Sequence, residues 1–301
     1  MRVRGLLAVV LALTAGAIAL PAVGQTSPSS ASGAFLNLTP KRLTFDRSRR
    51  NGTVFLVNQG DQPVTVDIAL VDRVMLPDGQ ITAVNAVERE VEVRAAAAAL
   101  KSAQGLLQVS PRRVVLQPGR PQTVRVRLST LPDATAGEHR SHLTITTLPP
   151  PETGQTAEAA AAGDGPGQLR FQIAAVYGLS IPVIVRPSEP DVAARLEGAR
   201  LDYADALGDG EQPARRIALV SLDVVRGGAS SVYGNFEVRV VGAPKGAEPL
   251  GAARGVGVYP EVARRAVRIP LSRPPAPGER LEVTFTDDDT SPGKVLAQAA
   301  L

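Results

Sequence analysis

The 301-residue chain contains no cysteine and no tryptophan. Without thiols neither a disulfide nor a thiolate metal site can form, so each folded part must be held by its apolar core alone. Aromatic residues make up 3% of the chain, too few for the stacking platforms on which nucleic-acid binders lay bases. Histidine occurs twice, at His139 and His142. Three apart on a strand, the two side chains point to opposite faces and make a poor metal pair. No Gly-x-Ser-x-Gly elbow is present. Gly255-Val256-Gly257 is too short for a phosphate-binding fingerprint. Asp287-Asp288-Asp289 lacks the EF-hand spacing and reads as a solvated turn before Ser291-Pro292-Gly293. With no catalytic constellation in view, the chain is read as a non-enzyme that uses no cofactor and no metal.

Long apolar runs are also scarce. The exception lies at the start, MRVRGLLAVVLALTAGAIALPAVGQ. Arg2 and Arg4 precede an apolar run from Leu6 to Leu20, and Ala22 and Gly24 are small residues before a cut at Gly24–Gln25. Residues 1–24 therefore read as a secretory signal peptide. Removing Arg2 and Arg4 takes two from 33 basic residues, against 29 acidic ones, so the mature chain is close to neutral and carries no call for a polyanionic partner.

What the sequence does have is short alternating segments separated by Pro, Gly and Asn. A polar, small-residue stretch at 25–34 is expected to be a flexible mature N-terminus. Strands are expected at Phe35–Leu38, Gly52–Asn58, Pro63–Val71, Thr123–Leu128 and Ser141–Leu148, with turns at Asn58-Gln59-Gly60-Asp61 and Pro77-Asp78-Gly79. Residues 86–107 are rich in Ala, Glu, Lys and Arg and predict a short surface helix, inserted between strands and peripheral to them. Residues 149–168 contain no bulky apolar residue and read as a long loop. Arg186-Pro187-Ser188-Glu189-Pro190 reads as a hinge. Beyond it, Ile217–Val225, Asn235–Val241, Gly255–Tyr259, Ala266–Leu271 and Glu282–Thr286 form a second strand-rich unit. The pattern predicts an all-β protein of two immunoglobulin-like β-sandwich domains, 35–187 and 188–301, joined by a short hinge, with a helical insertion in the first.

One segment stands out. From Leu169 every second residue is apolar: Leu169, Phe171, Ile173, Ala175, Tyr177, Leu179, Ile181 and Val183. This is a strand with one fully apolar face, longer than the usual ~5–6 residues. Periodicity alone is satisfied if the strand lies inside its own sandwich. Pro182 argues for a bulge or an unpaired edge, because proline donates nothing to a ladder.

The order of features resembles the PapD-like periplasmic pilus chaperones. LNLTPKRLTFD (36–46) resembles the family's opening strand, and TVFLVNQGDQPVTVDIAL (53–70) its next strand pair. VSPRRVVLQPGRPQTVRVRL (109–128) resembles its Pro-Gly run and basic strand, and GEHRSHLTITTLPP (137–150) its strand ending in Pro-Pro. The long alternating strand resembles the one that leads into the hinge at Arg186-Pro187. The resemblance implies a periplasmic chaperone for pilus or surface-fibre subunits, delivering them to an outer-membrane usher. It implies that Leu169, Phe171, Ile173, Ala175 and Tyr177 fill a groove in the client by strand addition. At roughly 1.5–3 kcal/mol per fully buried large apolar side chain, such a strand could supply most of a micromolar affinity before ordering costs. It also implies that Arg42 binds the client's terminal carboxylate, bidentate if geometry permits. The chain departs from the family in one place: the position of the second basic anchor, four residues before Arg186, is Pro182. Arg186 and Pro187 are expected to fix the hinge. The rival reading is a structural or adhesive component of a surface assembly; a sandwich-based hydrolase is a more distant one.

An apolar strand left open is a liability, so the free protein is expected to cap itself by self-association. Sedimentation should show a concentration-dependent mass; a monomer at every concentration would refute the expectation.

Overall fold

Alternation of apolar and polar residues dictates most of what the chain does, because in a strand successive side chains face opposite sides. The computed structural model describes residues 36–149, 176–206, 215–244 and 246–301. The expected leader, the mature N-terminus, nearly all of the 149–168 loop and the Leu169, Phe171, Ile173 and Ala175 part of the long strand lie outside the described residues.

The first half comprises β1 (Leu36–Thr39), β2 (Leu43–Phe45), β3 (Asn51–Asn58), β4 (Val64–Val71), β5 (Arg73–Met75), β6 (Ile81–Ala83), α1 (Glu90–Ala99), β7 (Leu107–Ser110), β8 (Arg113–Leu116), β9 (Gln122–Leu128), β10 (His139–Thr147) and β11 (Gly178–Val185). The second comprises β12 (Ala194–Ala206), β13 (Arg215–Arg226), β14 (Val232–Val240), β15 (Gly251–Val258), β16 (Arg264–Pro270), β17 (Leu281–Asp287) and β18 (Val295–Ala300).

In the first half one sheet has the order β1-β3-β9-β7 and the other β2-β11-β10-β4-β8. With β1 and β2 as two halves of one opening strand, this is the ABED-against-GFC order of an immunoglobulin sandwich. The core follows from alternation. On β9, Val124, Val126 and Leu128 are buried, while Arg125 and Arg127 between them are exposed. Leu38, Val54, Leu56, Ile68, Leu143, Ile145 and Val183 meet them from the other strands. The side chain of buried Asn58 closes the β3–β4 turn, donating from Nδ2 to the Gln62 and Leu116 carbonyls and accepting from the Gly60 N–H. This is the Asx chemistry that favours Asn at such corners.

In the second half the order is β12-β13-β16 against β15-β14-β17-β18. Phe236 and Phe285, direct partners on β14 and β17, stack with centroids 4.4 Å apart among buried Val220, Val224, Val238, Ile269 and Val283. The long strand β12 escapes a periodicity reading for a physical reason. Its register shifts between Glu197 and Arg200, where Gly198 takes a φ of 62°, and a bulge flips the faces of everything beyond it.

The 86–107 insertion is helical where expected, at α1, which is a surface helix with only Val93 and Ala96 buried. Val93 and Ala96 of α1 pack on Val74 and Leu76 beside the β5–β6 hairpin. That hairpin leans on the second sandwich: Met75 joins its core, with Ile81 packed against it. The Ala266 N–H donates to the Pro77 carbonyl at 2.7 Å. Gly79, at φ 85°, lies so close to the Arg265 guanidinium that a Cβ would collide with it. Three-residue strands carry no periodic signal, so neither the hairpin nor its target is visible in sequence.

Phe236→Ala should lower the unfolding free energy by about 3–5 kcal/mol, from lost transfer energy and the cavity left behind. Urea denaturation measures it; a loss below about 1 kcal/mol would show that the stack is not a core element.

Candidate functional site

Strand β11 is bordered unequally. On one side it pairs antiparallel with β10 along its whole length, from Thr146↔Gly178 to His139↔Val185. On the other, β2 pairs with it in parallel only at Val183, Ile184 and Val185. Among the described residues no strand pairs with the outer side of Gly178–Ile181. Main-chain directions along β11 follow from two bonds. Tyr177 exchanges with Thr147, donating its N–H to Oγ1 and accepting from the Thr147 N–H, so odd positions face β10. Arg186 donates its N–H to the Phe45 carbonyl, so even positions face β2 and the open side. Gly178 and Ser180 thus present unpaired N–H and C=O groups at the edge of the sheet. Pro182 has no N–H to present.

Side chains on β11 divide just as sharply. Ile181, Val183 and Val185 enter the first core, Leu179 packs at its margin, and Ile184 turns into the core of the second sandwich. Tyr177 is 44% exposed beside exposed Val176. The edge of the other sheet on this flank is β1, which pairs with β3 alone. A sandwich open between two edge strands, with a half-buried apolar margin, is a template for an added strand.

Where β11 ends, an ion cluster joins the two sandwiches. Arg186 donates from Nε to Glu138 Oε2 at 2.8 Å and from Nη2 to Asp289 Oδ2 at 2.7 Å. Burial opposes its charge, but Glu138 and Asp289 outweigh that and hold its pKa above the ordinary arginine value. Arg42 Nη2 reaches the same Asp289 oxygen at 2.7 Å. The Arg42 guanidinium also lies over the Tyr233 ring, 4.6 Å from its centroid. Ser231, just ahead of β14, donates its Oγ–H and N–H to Glu138 and accepts from Arg186. Asp289 is held in turn by Asp287, whose carboxylate caps the turn by accepting from Asp289, Thr290 and Ser291. Burial pushes the Asp287 pKa up, but these donors outweigh it and leave it below the usual carboxylate value.

A second contact lies away from the hinge. Arg140 on β10 is ion-paired with Glu261 of the second sandwich, with both side chains 1% exposed. It stacks over Tyr259 at 4.1 Å and donates to the Arg73 carbonyl at 2.9 Å. The Met75 N–H donates to the same Glu261 carboxylate. His142 lies beside Arg140 Nη1 at 3.2 Å. Burial, then the charges of Arg140 and Arg73, push its pKa down to about 3, so it stays neutral and accepts from the guanidinium.

Of the residues picked from the sequence, Arg42, Arg186 and Pro187 meet at the junction of the sandwiches, and Tyr177 lies on the open edge. Arg42, for which the resemblance implies a client carboxylate, is paired with Asp289 in the chain by itself. Its side chain is 10% exposed, with Asp289 occupying Nη2. The Asp287–Asp289 segment is not a solvated turn: Asp287 is 2% exposed, and Asp289 is the shared acceptor of two arginines. Glu138, Ser231, Asp289, Arg140 and Glu261 were not legible. Arg42 and Asp289 stand 247 residues apart, and no local pattern links them.

Solved structures similar to the chain include the E. coli chaperone DraB, at 12% identity and TM-score 0.42, covering 89% of this chain and 96% of that one. The Pseudomonas aeruginosa CupB2 chaperone aligns at 12% identity and TM-score 0.40, over 88% and 97%. Salmonella enterica SafA pilin in complex with the SafB chaperone aligns at 15% identity and TM-score 0.39, over 88% and 95%. No family model matches the chain, and no curated protein does. The immunoglobulin-like assignment rests on the strand order itself rather than on these alignments.

Arg186→Ala leaves Glu138 without its arginine in a buried site and should cost about 3–5 kcal/mol in urea denaturation. For His142 the folded pKa lies below the unfolded value of 6.5. The unfolded chain therefore binds a proton that the folded one refuses, and stability present above pH 6.5 is lost as pH falls towards about 3. The slope should reach about 1.4 kcal/mol per pH unit and flatten in His142→Gln, as followed by denaturation at stepped pH.

Proposed function

We propose that the chain is a periplasmic chaperone that binds pilus or surface-fibre subunits along β11 and passes them to an outer-membrane usher. The observation that carries this reading is the open flank of β11. A subunit with an incomplete sandwich exposes an apolar groove and unpaired main-chain groups, both costly to leave open. The Gly178 and Ser180 main-chain groups would pair with it, and the apolar residues running back through Tyr177, Ala175, Ile173, Phe171 and Leu169 would fill its groove. The five sequence segments that resemble the PapD-like family support the same reading. Exchange of the strand for a better-fitting one in the fibre would release the subunit, with the subunit's own folding as the driving force.

The test is affinity capture from the native periplasm with three proteins of equal folded stability: wild type, an Ile173→Asp/Tyr177→Asp double variant, and Val115→Asp. Val115 is 53% exposed on β8, at the far end of the same sheet. A small β-rich secreted protein should come down with wild type and Val115→Asp and be lost from the double variant. Capture that is unchanged in the double variant, or empty throughout, would overturn the reading and favour a structural component of a surface assembly.

A further inference from the structure

We propose that the strand-accepting edge of β11 is closed at Pro182, so that a partner strand ends beside Ser180 and its terminal carboxylate is not gripped by Arg42. The inference rests on the strand-edge reading above and specifies how the partner is held there.

The main-chain inventory of β11 carries the first half. Even positions face the open side, and the last of them before β2 takes over is Pro182. Proline offers no donor. Its carbonyl is not available either: the parallel register Val183↔Leu43 sets the Leu43 N–H against the carbonyl of residue 182. From Ile184 onward the outward groups face β2, as the Arg186 N–H to Phe45 carbonyl bond shows. Among the described residues no strand pairs with the outward N–H and C=O groups of Gly178 and Ser180, and a partner that takes them then meets the chain itself. β2 occupies the lane the partner would need to go further. The proline marks the boundary on purely local grounds, because any other residue there would leave a donor pointing into the gap.

The state of Arg42 carries the second half. A guanidinium that reads a carboxylate needs an accessible pair of N–H groups. Arg42 Nη2 is already bound to Asp289, and the side chain is 10% exposed. Among the described residues its Nε and Nη1 have no hydrogen-bond partner, and both atoms are buried. The Tyr233 ring covers its face. Opening this site to a partner's carboxylate would uncouple Asp289 from one of its two arginines and strip the contact between sandwiches. Arg42 is a fastener of the two halves. The partner is then recognised by its extended main chain and alternating apolar side chains, and the charge at its end plays no part.

The experiment uses the full chain and a short synthetic peptide of alternating Val and Thr, made as the free acid and as the C-terminal amide. Calorimetric titration should give the two forms the same affinity for the wild-type protein. Ser180→Pro, which removes an outward N–H without touching the β10 ladder, should weaken both by up to about tenfold. Amide exchange on the wild-type complex should slow at Gly178 and Ser180. Free acid binding about tenfold tighter than amide, with Arg42→Gln erasing the difference, would overturn the inference while the strand-edge reading stands. Failure of both peptides to bind would overturn the strand-edge reading, and the inference with it.

Discussion

One carboxylate oxygen, Asp289 Oδ2, accepts from Arg42 and from Arg186, each at 2.7 Å. These arginines come from the two places where the first sandwich could come loose. Arg42 sits where the opening strand crosses from one sheet to the other, between β1 and β2. Arg186 directly follows β11, at the start of the segment that leads to β12. Asp289 belongs to the second sandwich, in a turn capped by Asp287. The contact thus fixes the opening strand, the closing strand and the neighbouring sandwich against a single atom. A buried ion cluster of this kind is a poor source of net stability, since well-packed apolar groups often do as well. Its geometry is more demanding than that of an apolar patch, and it holds the sandwiches in one arrangement. The β5–β6 hairpin and the Arg140–Glu261 pair make a second seam between the same two bodies. Two separated contacts resist bending in a way that either alone would not.

The open edge follows from that arrangement. β2, which begins directly after Arg42, covers only the last three residues of β11. Among the described residues the preceding part has no partner strand on that side, and edge strands of this kind are normally masked by charge, proline or a covering element. Here Pro182 does stand on the edge, at the boundary between the covered and the uncovered part. The apolar residues of the same strand are divided among three destinations: the first core for Ile181 and Val183, the second core for Ile184, and the surface for Tyr177. A strand that stitches two cores together cannot shift register without disturbing both. That makes β11 a firm rail for anything that pairs with it.

Alternation was enough to locate β3, β4, β9, β14, β16 and β17, because each buries one face more deeply than the other, and burial writes itself into the sequence with a period of two; β10 and β13 are buried on both faces over most of their length and were legible as β-rich runs between turn signals. The all-β class and the two sandwiches follow from those strands and from the Asn, Pro and Gly residues between them. The helix at Glu90–Ala99 was visible from its Ala-rich composition. What composition could not show was where the β5–β6 hairpin ahead of the helix leans, since Met75 and Ile81 are two apolar residues whose partners lie in the other sandwich. Nor could the sequence show that Asp289 faces inward. A run of three aspartates looks like a solvated turn until the fold brings two guanidiniums to it.

The sequence by itself determined which residues face inward along the alternating strands such as β9, β14 and β17, and that position 182 of the long apolar strand could not donate to a ladder, because backbone chemistry and side-chain period are local properties. Only the tertiary structure decided which flank of that strand lies open and that Arg42 is spent on Asp289. Strand order sets Leu43 beside Val183, an ion pair joins Arg42 to Asp289 247 residues away, and no local pattern encodes such distances.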